Sequence, residues 1–204
     1  MSRNRLAAVA LAVSGVLFFL YPALRPWADE STAAGALHAM GSPWWVATHL
    51  FAMIGFILVP LALFRVDKTA AVLMWIGAGL TLPYYGAEDF ALNTLAGKVK
   101  DGQSLDLLDL SDSIRFHPAA VATFFVGLLL LGVGAVWAAV AVWRRRALPN
   151  PSLPKLSGLL FGAGFALFIP QFFTGEAVRI GHGVLMLAGC VWLAVALWRT
   201  PDPA

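Results

Sequence analysis

The sequence has few charged residues, a single cysteine and none of the short motifs common in soluble enzymes. Charged residues make up 12% of its 204 residues, against about 25% in an average soluble domain. With Cys190 alone, no internal disulfide can form. No Gly-rich phosphate loop, Cys-x-x-Cys pair, nucleophile elbow or His-Glu-x-x-His motif occurs. These absences argue against the common nucleotide-dependent, thiol-redox and zinc-hydrolase classes.

Hydrophobic residues are abundant instead, at 60% of the chain. A helix needs about 20 apolar residues to cross a hydrocarbon core of roughly 30 Å, and six runs come close to or exceed that length. The sequence therefore predicts an all-α polytopic membrane protein with one transmembrane domain of six helices. The predicted helices are 6–21, 44–64, 70–90, 118–143, 156–173 and 177–198, with a long loop at 93–116. The first run also fits a signal peptide, although a retained helix is favoured.

Basic residues are distributed unevenly between the two sides that six crossings define. Nine of the 14 Lys and Arg residues fall on the side of the two chain ends, and nine of the 11 acidic residues fall on the other. The positive-inside rule then predicts cytoplasmic termini in the plasma membrane, with all four histidines in the extracytoplasmic half. Because the basic residues sit at helix ends, they do not indicate a nucleic-acid partner. Those on the richer side are Arg3, Arg5, Arg65, Lys68, Arg144, Arg145, Arg146, Lys155 and Arg199.

The loop at 93–116 contains a repeated acidic pattern. Asp106, Asp109 and Asp112 are three residues apart and have leucines between them. This spacing places the carboxylates on one helical face and predicts an amphipathic helix on the membrane surface. A calcium or magnesium site is the alternative interpretation.

Counting residues along the predicted helices places several polar side chains at one depth. With a rise of 1.5 Å per residue, His49, Gln171 and His182 lie about 24–26 Å above the cytoplasmic boundary. Glu88 and Arg179 lie about 30 Å above it, at the extracytoplasmic edge. The sequence thus predicts a shallow polar site that faces outward.

Two of these histidines are followed by methionine at the fourth position, as His49–Met53 and His182–Met186. Residues four apart share one helical face. Two imidazoles and two thioethers suit copper, and a histidine pair suits haem b, with Gln171 and Arg179 as further cofactor-binding residues. The leading hypothesis is a His/Met copper or haem site in metal handling or redox chemistry. Methionine as ordinary core filler is the alternative.

A second hypothesis is a membrane-embedded acid–base enzyme, of the cyclase or isomerase kind, that acts on an isoprenoid or another lipid. Glu88 with His49 or His182 would exchange protons in a low-dielectric pocket. The plainer interpretation is that Glu88 is solvated together with Asp89 at a helix end.

Glu176, three residues before Arg179, suggests a simple ion pair on one helix face. A small proton- or ion-coupled transporter is a third possibility, although the central turns of the predicted helices have no charge. A scaffold without chemistry and a homo-oligomer both stay open.

Three short segments resemble a known group of proteins: Pro83-Tyr-Tyr-Gly-Ala-Glu88, Pro170-Gln-Phe-Phe173 and Arg179-Ile-Gly-His-Gly183. With them, the chain from its second helix onward resembles six-helix actinobacterial integral membrane proteins of unknown function. The resemblance implies no activity. It directs attention to His49, Glu88 and His182.

Overall fold

The computed structural model describes residues 2–144 and 152–201, and for 152–154 it describes the backbone alone. Within these ranges the chain is helical and has no β-strand, so the all-α prediction is confirmed. Arg145 and Arg146, two of the basic residues on which the predicted membrane orientation rests, lie outside the described residues. The helices are α1 (Arg3–Leu24), α2 (Ala33–Met40), α3 (Pro43–Leu63), α4 (Lys68–Gly86), α5 (Leu92–Lys100), α6 (Leu107–Arg115), α7 (Pro118–Arg144), α8 (Ser152–Ala166), α9 (Phe168–Gln171) and α10 (Glu176–Trp198), with a π-helical turn (Ala87–Ala91) between α4 and α5.

Among the described residues, five helical stretches are long and apolar enough to cross a membrane: α1, α3, the continuous stretch Lys68–Lys100, α7 and α10. The sixth predicted span, 156–173, is divided at Leu167 into α8, with 15 residues, and α9. Pro170, which has no N–H to donate, lies inside α9 and disfavours an unbroken helix here.

The long loop predicted at 93–116 contains two helices, α5 and α6. The helix of Lys68–Lys100 does not stop at residue 90, because the π-helical turn carries it onward. The amphipathic helix predicted from the aspartate pattern corresponds to α6. Its N-cap is Asp106, whose side chain accepts a hydrogen bond from the Asp109 N–H.

Six of the described helices form a closed ring, in which each helix packs against two neighbours. Their order around the ring is α1, α3, α4, α7, α8 and α10. A close crossing joins α4 to α7. A Cβ atom added at Gly127 would lie 2.8 Å from the Gly77 carbonyl oxygen, which is closer than real Cβ contacts. Small residues let these two backbones meet, as is common where helices pack in a membrane.

Aromatic rings fill the centre of the ring of helices. Phe18 of α1 lies 5.1 Å from Phe56, 5.6 Å from Phe165 and 6.3 Å from Phe168, measured between ring centroids. Phe56 in turn lies 5.6 Å from Tyr85. Such edge-to-face pairs stabilise the core beyond the area they bury.

A small second layer covers one end of the ring. We call it the cap, and it consists of residues 25–42 and 92–116. It has its own core, which includes Met40, Leu92 and Leu107. Asn93 Nδ2 donates to the Met40 carbonyl over 2.6 Å and joins α2 to α5.

The opposite end of the ring holds both ends of the described chain. Asn4 Nδ2 donates to the carbonyls of Thr200 and Pro201, each over 3.0 Å, and Arg65 Nε donates to Asn4 Oδ1 over 2.9 Å. The start of α1, the turn after α3 and the end of α10 therefore lie together, away from the cap.

Candidate functional site

Four charged side chains form a connected cluster where the cap meets the ring. Glu30 accepts from Arg25 Nη2 and from Arg115 Nη2, each over 2.7 Å, and Arg115 Nη2 also lies 2.8 Å from Glu88 Oε1. These side chains are only 8–21% exposed. We call this set the charged cluster. It joins the end of α1, the loop before α2, the π-helical turn and the end of α6.

Trp45, in the first turn of α3, packs against the charged cluster. Its ring lies 4.7 Å from the Arg25 guanidinium carbon and 5.8 Å from that of Arg115. Its Nε1–H donates to the Glu88 carbonyl over 3.1 Å. Trp45 is fully buried, so these cation–π contacts are shielded from water and correspondingly strong.

The arginines control the ionisation of Glu30. Burial by itself raises the pKa of Glu30, but the guanidiniums of Arg25 and Arg115 outweigh burial and hold that pKa below its usual value. Burial lowers the pKa of Arg25, whereas Tyr21, Glu30 and Glu88 outweigh it and raise that pKa. Both ends of the Arg25–Glu30 ion pair therefore stay charged at neutral pH.

A cavity of about 820 Å³ opens beside the charged cluster, and we call it the cap cavity. Its polar lining consists of the charged cluster, Tyr21, Glu176 and Arg179. Its apolar lining consists mainly of aromatic side chains: Trp27, Tyr84, Tyr85, Phe116, Phe124, Phe125, Phe172 and Phe173. A pocket lined largely by apolar side chains with a few convergent polar groups is typical of a small-molecule site.

Arg179 enters the cap cavity from the first turns of α10. Its Nε donates to the Thr174 carbonyl over 3.2 Å, and its Nη2 donates to the Phe172 carbonyl over 2.5 Å. Its guanidinium carbon lies 5.5 Å from the Trp27 ring. The ion pair with Glu176, suggested by their spacing, is not formed in the structure, and Glu176 is exposed. Among the described arginines of this cavity, Arg179 is thus the one without a carboxylate partner.

His49 lies behind the cap cavity and does not line it. The residue is fully buried, and its Nδ1 lies 2.7 Å from the Trp45 carbonyl, to which it can donate. Its Nε2 has no hydrogen-bond partner among the described residues. The ring packs against Tyr21 at 5.4 Å and Tyr85 at 5.9 Å, so His49 reaches the cavity only through these side chains.

His182 is half-buried and faces α8. Its Nε2 lies 2.7 Å from the Gly164 carbonyl, just before the break between α8 and α9. A Cβ atom added at Gly164 would lie 2.8 Å from the sulfur of Met186, so His182 and Met186 pack on the same residue, as their spacing predicts. His182 also lies 5.3 Å from the Phe168 ring.

The predicted copper or haem residues are distributed along the aromatic core. Tyr85, Phe56 and Phe168 form the series of ring contacts that connects His49 to His182. In the part of the chain that the structure describes, no three His, Cys, Asp or Glu side chains form a group that could hold a metal ion. The predicted site also uses the thioethers of Met53 and Met186, so copper or haem binding remains a prediction.

Met53, Gln171 and Asp89 differ in their surroundings. Met53 is half-buried against the core, and Gln171 is buried next to Phe172 without lining the cap cavity. Asp89 is fully buried, and neither carboxylate oxygen has a hydrogen-bond partner among the described residues. The interpretation of Asp89 as a solvated residue at a helix end is therefore wrong, because the π-helical turn directs it inward.

The depth estimate grouped five side chains at one site, of which Glu88 and Arg179 line the cap cavity, whereas His49, Gln171 and His182 do not. It missed Arg25, Glu30 and Arg115, which the sequence places in connecting segments. Glu30 and Arg115 are 85 positions apart, and no local pattern pairs residues at that separation. The signal in the sequence that could have revealed the charged cluster is the presence of two arginines that lie, with acidic residues, close to predicted helix ends.

Comparison with known proteins gives no relative from which a function could be transferred. No family model, no curated protein and no solved structure matches the chain. A function for the chain therefore follows from the chemistry of the cap cavity and its surroundings alone.

Proposed function

We propose that this protein binds an amphipathic, lipid-like molecule in the cap cavity, at the extracytoplasmic edge of the plasma membrane. The observation that carries this proposal is the cavity itself, which is lined both by aromatic rings and by charged groups. The long apolar helices of the ring support a position of this cavity within reach of membrane lipids.

The charges of the cavity favour an anionic headgroup. Within the charged cluster, Arg25 and Arg115 are neutralised by Glu30 and Glu88. Among the described residues, Arg179 donates to two backbone carbonyls and to no side chain, and it has donor capacity left. A carboxylate or phosphate at this guanidinium would gain charge-assisted hydrogen bonds in a site partly shielded from water.

Binding of alkyl phosphates to the detergent-purified protein tests this proposal. Native mass spectrometry would compare dodecyl phosphate with dodecyltrimethylammonium, which has the same chain and the opposite charge. We expect the phosphate to bind more tightly, and Arg179→Ala to weaken it about 10- to 100-fold, as for loss of a hydrogen bond to a charged group. Arg199→Ala, which removes an exposed arginine far from the cap, is the matched control. Equal binding of both amphiphiles, unchanged by Arg179→Ala, would contradict the proposal.

Glu88 favours a second candidate, the acid–base enzyme that acts on a lipid or isoprenoid. Unlike His49 and His182, Glu88 lines the cap cavity, together with Tyr84, Tyr85 and Arg115. A bound molecule would therefore meet its carboxylate directly. In this case Glu88→Gln should abolish turnover of the ligand while dodecyl phosphate still binds. Loss of both activities together would assign Glu88 a binding role instead.

A further inference from the structure

A second apolar depression lies on the outside of the ring, between α7 and α8, and we call it the α7–α8 groove. It has a volume of about 780 Å³. Its walls include Leu129, Gly132, Val133 and Val136 of α7 and Phe165 and Ala166 of α8. Val133 and Val136 are 52% and 45% exposed, so the described residues leave about half of each of these apolar side chains uncovered.

The groove continues from the cap cavity. Leu128 of α7 and Ile169 of α9 line both spaces. From that junction the groove follows α7 to Arg144, with Asp67 at the same far end. At 1.5 Å per residue, the distance from Leu128 to Arg144 is about 24 Å, which is most of the thickness of a hydrocarbon core.

Small residues keep the groove open. A Cβ atom at Gly132 would meet the Phe165 carbonyl oxygen at 3.5 Å, an ordinary contact distance, so this glycine widens the space rather than allowing a tight crossing. Ala166 is exposed at the last position of α8, where the helix ends before Leu167. The break between α8 and α9 thus opens the route from the cavity into the groove.

We infer that the α7–α8 groove holds the apolar tail of the molecule whose anionic headgroup lies at Arg179. This inference rests on the proposed function and narrows the ligand to a long-chain lipid, an acyl or polyprenyl chain. A short amphiphile would fill the cap cavity and leave the groove to the bilayer. The polar groups of the cap cavity and the apolar walls of the groove from Leu128 to Val140 match the two parts of such a lipid.

Chain-length dependence of binding tests the inference. Octyl and octadecyl phosphate would be compared by native mass spectrometry, with wild-type protein and with Ala166→Leu, which adds bulk inside the groove at an exposed position. Ala188→Leu, at an exposed position of α10 outside the groove, is the matched control. We expect octadecyl phosphate to bind at least tenfold more tightly than octyl phosphate, and Ala166→Leu to remove most of this preference without changing octyl phosphate binding.

A second measurement locates the tail directly. An octadecyl phosphate with a diazirine at its last carbon should cross-link to α7 near Val140, rather than to α10. The inference that the groove holds the tail would be refuted if Ala166→Leu kept the chain-length preference, or if cross-links on α10 were as frequent as on α7. Either result would leave the proposed function intact. If neither phosphate binds the wild-type protein, the proposed function fails and the inference fails with it.

Discussion

Replacing Glu30 with glutamine should open the cap without unfolding the ring. Glu30 accepts two charge-assisted hydrogen bonds of 2.7 Å, from Arg25 and from Arg115, and its side chain is 21% exposed. Glutamine has the same shape, but it has no charge and one of its two terminal atoms is a donor. The variant therefore leaves two poorly hydrated guanidiniums without full compensation.

The size of the effect lies between the two limits known for ion pairs. Exposed pairs contribute about 0–1 kcal/mol, whereas breaking a buried pair costs about 3–5 kcal/mol. Since the three side chains are 8–21% exposed, we expect Glu30→Gln to weaken cap closure by about 2–3 kcal/mol, within the range for a hydrogen bond to a charged group.

Hydrogen–deuterium exchange of the purified protein measures this local opening. An energy of about 2–3 kcal/mol corresponds to a loss of protection of about 30- to 150-fold for amides that exchange through cap opening. The loss should appear in peptides from residues 25–40 and 107–116, and α7 should keep its protection. Asp112→Asn, an exposed acid of α6 outside the cluster, is the control. Unchanged exchange in the cap would refute the idea that Glu30 holds it closed.

Three further outcomes follow from the described contacts. The pKa of Glu30 is depressed in the folded state, so its contribution to the stability of the cap is complete above the ordinary carboxyl pKa of about 4.3 and is lost as the pH falls through the lower folded value. A tryptophan fluorescence titration should therefore show the cap opening at acidic pH, and Glu30→Gln should remove that transition. Gly127→Ala places a Cβ atom 2.4 Å from Thr81 Oγ1 and 2.8 Å from the Gly77 carbonyl. Thermal denaturation should show that this overpacking lowers the free energy of unfolding by about 1–3 kcal/mol. An unchanged midpoint would mean that α4 and α7 separate easily. The predicted His/Met site requires a Soret band that His182→Ala abolishes, or stoichiometric copper without one, in oxidised and reduced absorption spectra with metal analysis, and a colourless protein that takes up neither metal nor haem would refute it.

The long helices could be predicted because a membrane-spanning helix is a local property of the sequence. Each needs about 20 apolar residues in succession, and the runs that became α1, α3, α7 and α10 meet this condition without help from the rest of the chain. The third apolar run also predicts a helix, but the predicted helix ends at residue 90. The π-helical turn carries the helix on to Lys100, although Glu88 and Asp89 resemble a polar helix end.

The charged cluster could not be predicted in the same way, because its members come from four separate segments. Arg25 and Glu30 are near each other in sequence, but Arg115 reaches them only after α6 has folded over the ring. The His–Met spacing correctly placed His182 and Met186 on one face. It could not show that His182 would direct its Nε2 to the Gly164 carbonyl, since that contact depends on how α10 packs against α8.

The closed ring has a consequence for how the protein is assembled during synthesis. Helix α1 packs between α3 and α10. A Cβ atom added at Gly15 would lie 2.8 Å from the Cys190 side chain, so this side of α1 is shaped to receive α10. While the ribosome is still producing the middle of the chain, α10 does not yet exist to cover that side of α1. The ring can close only after α10 has been made, so α1 completes its contacts long after its own synthesis.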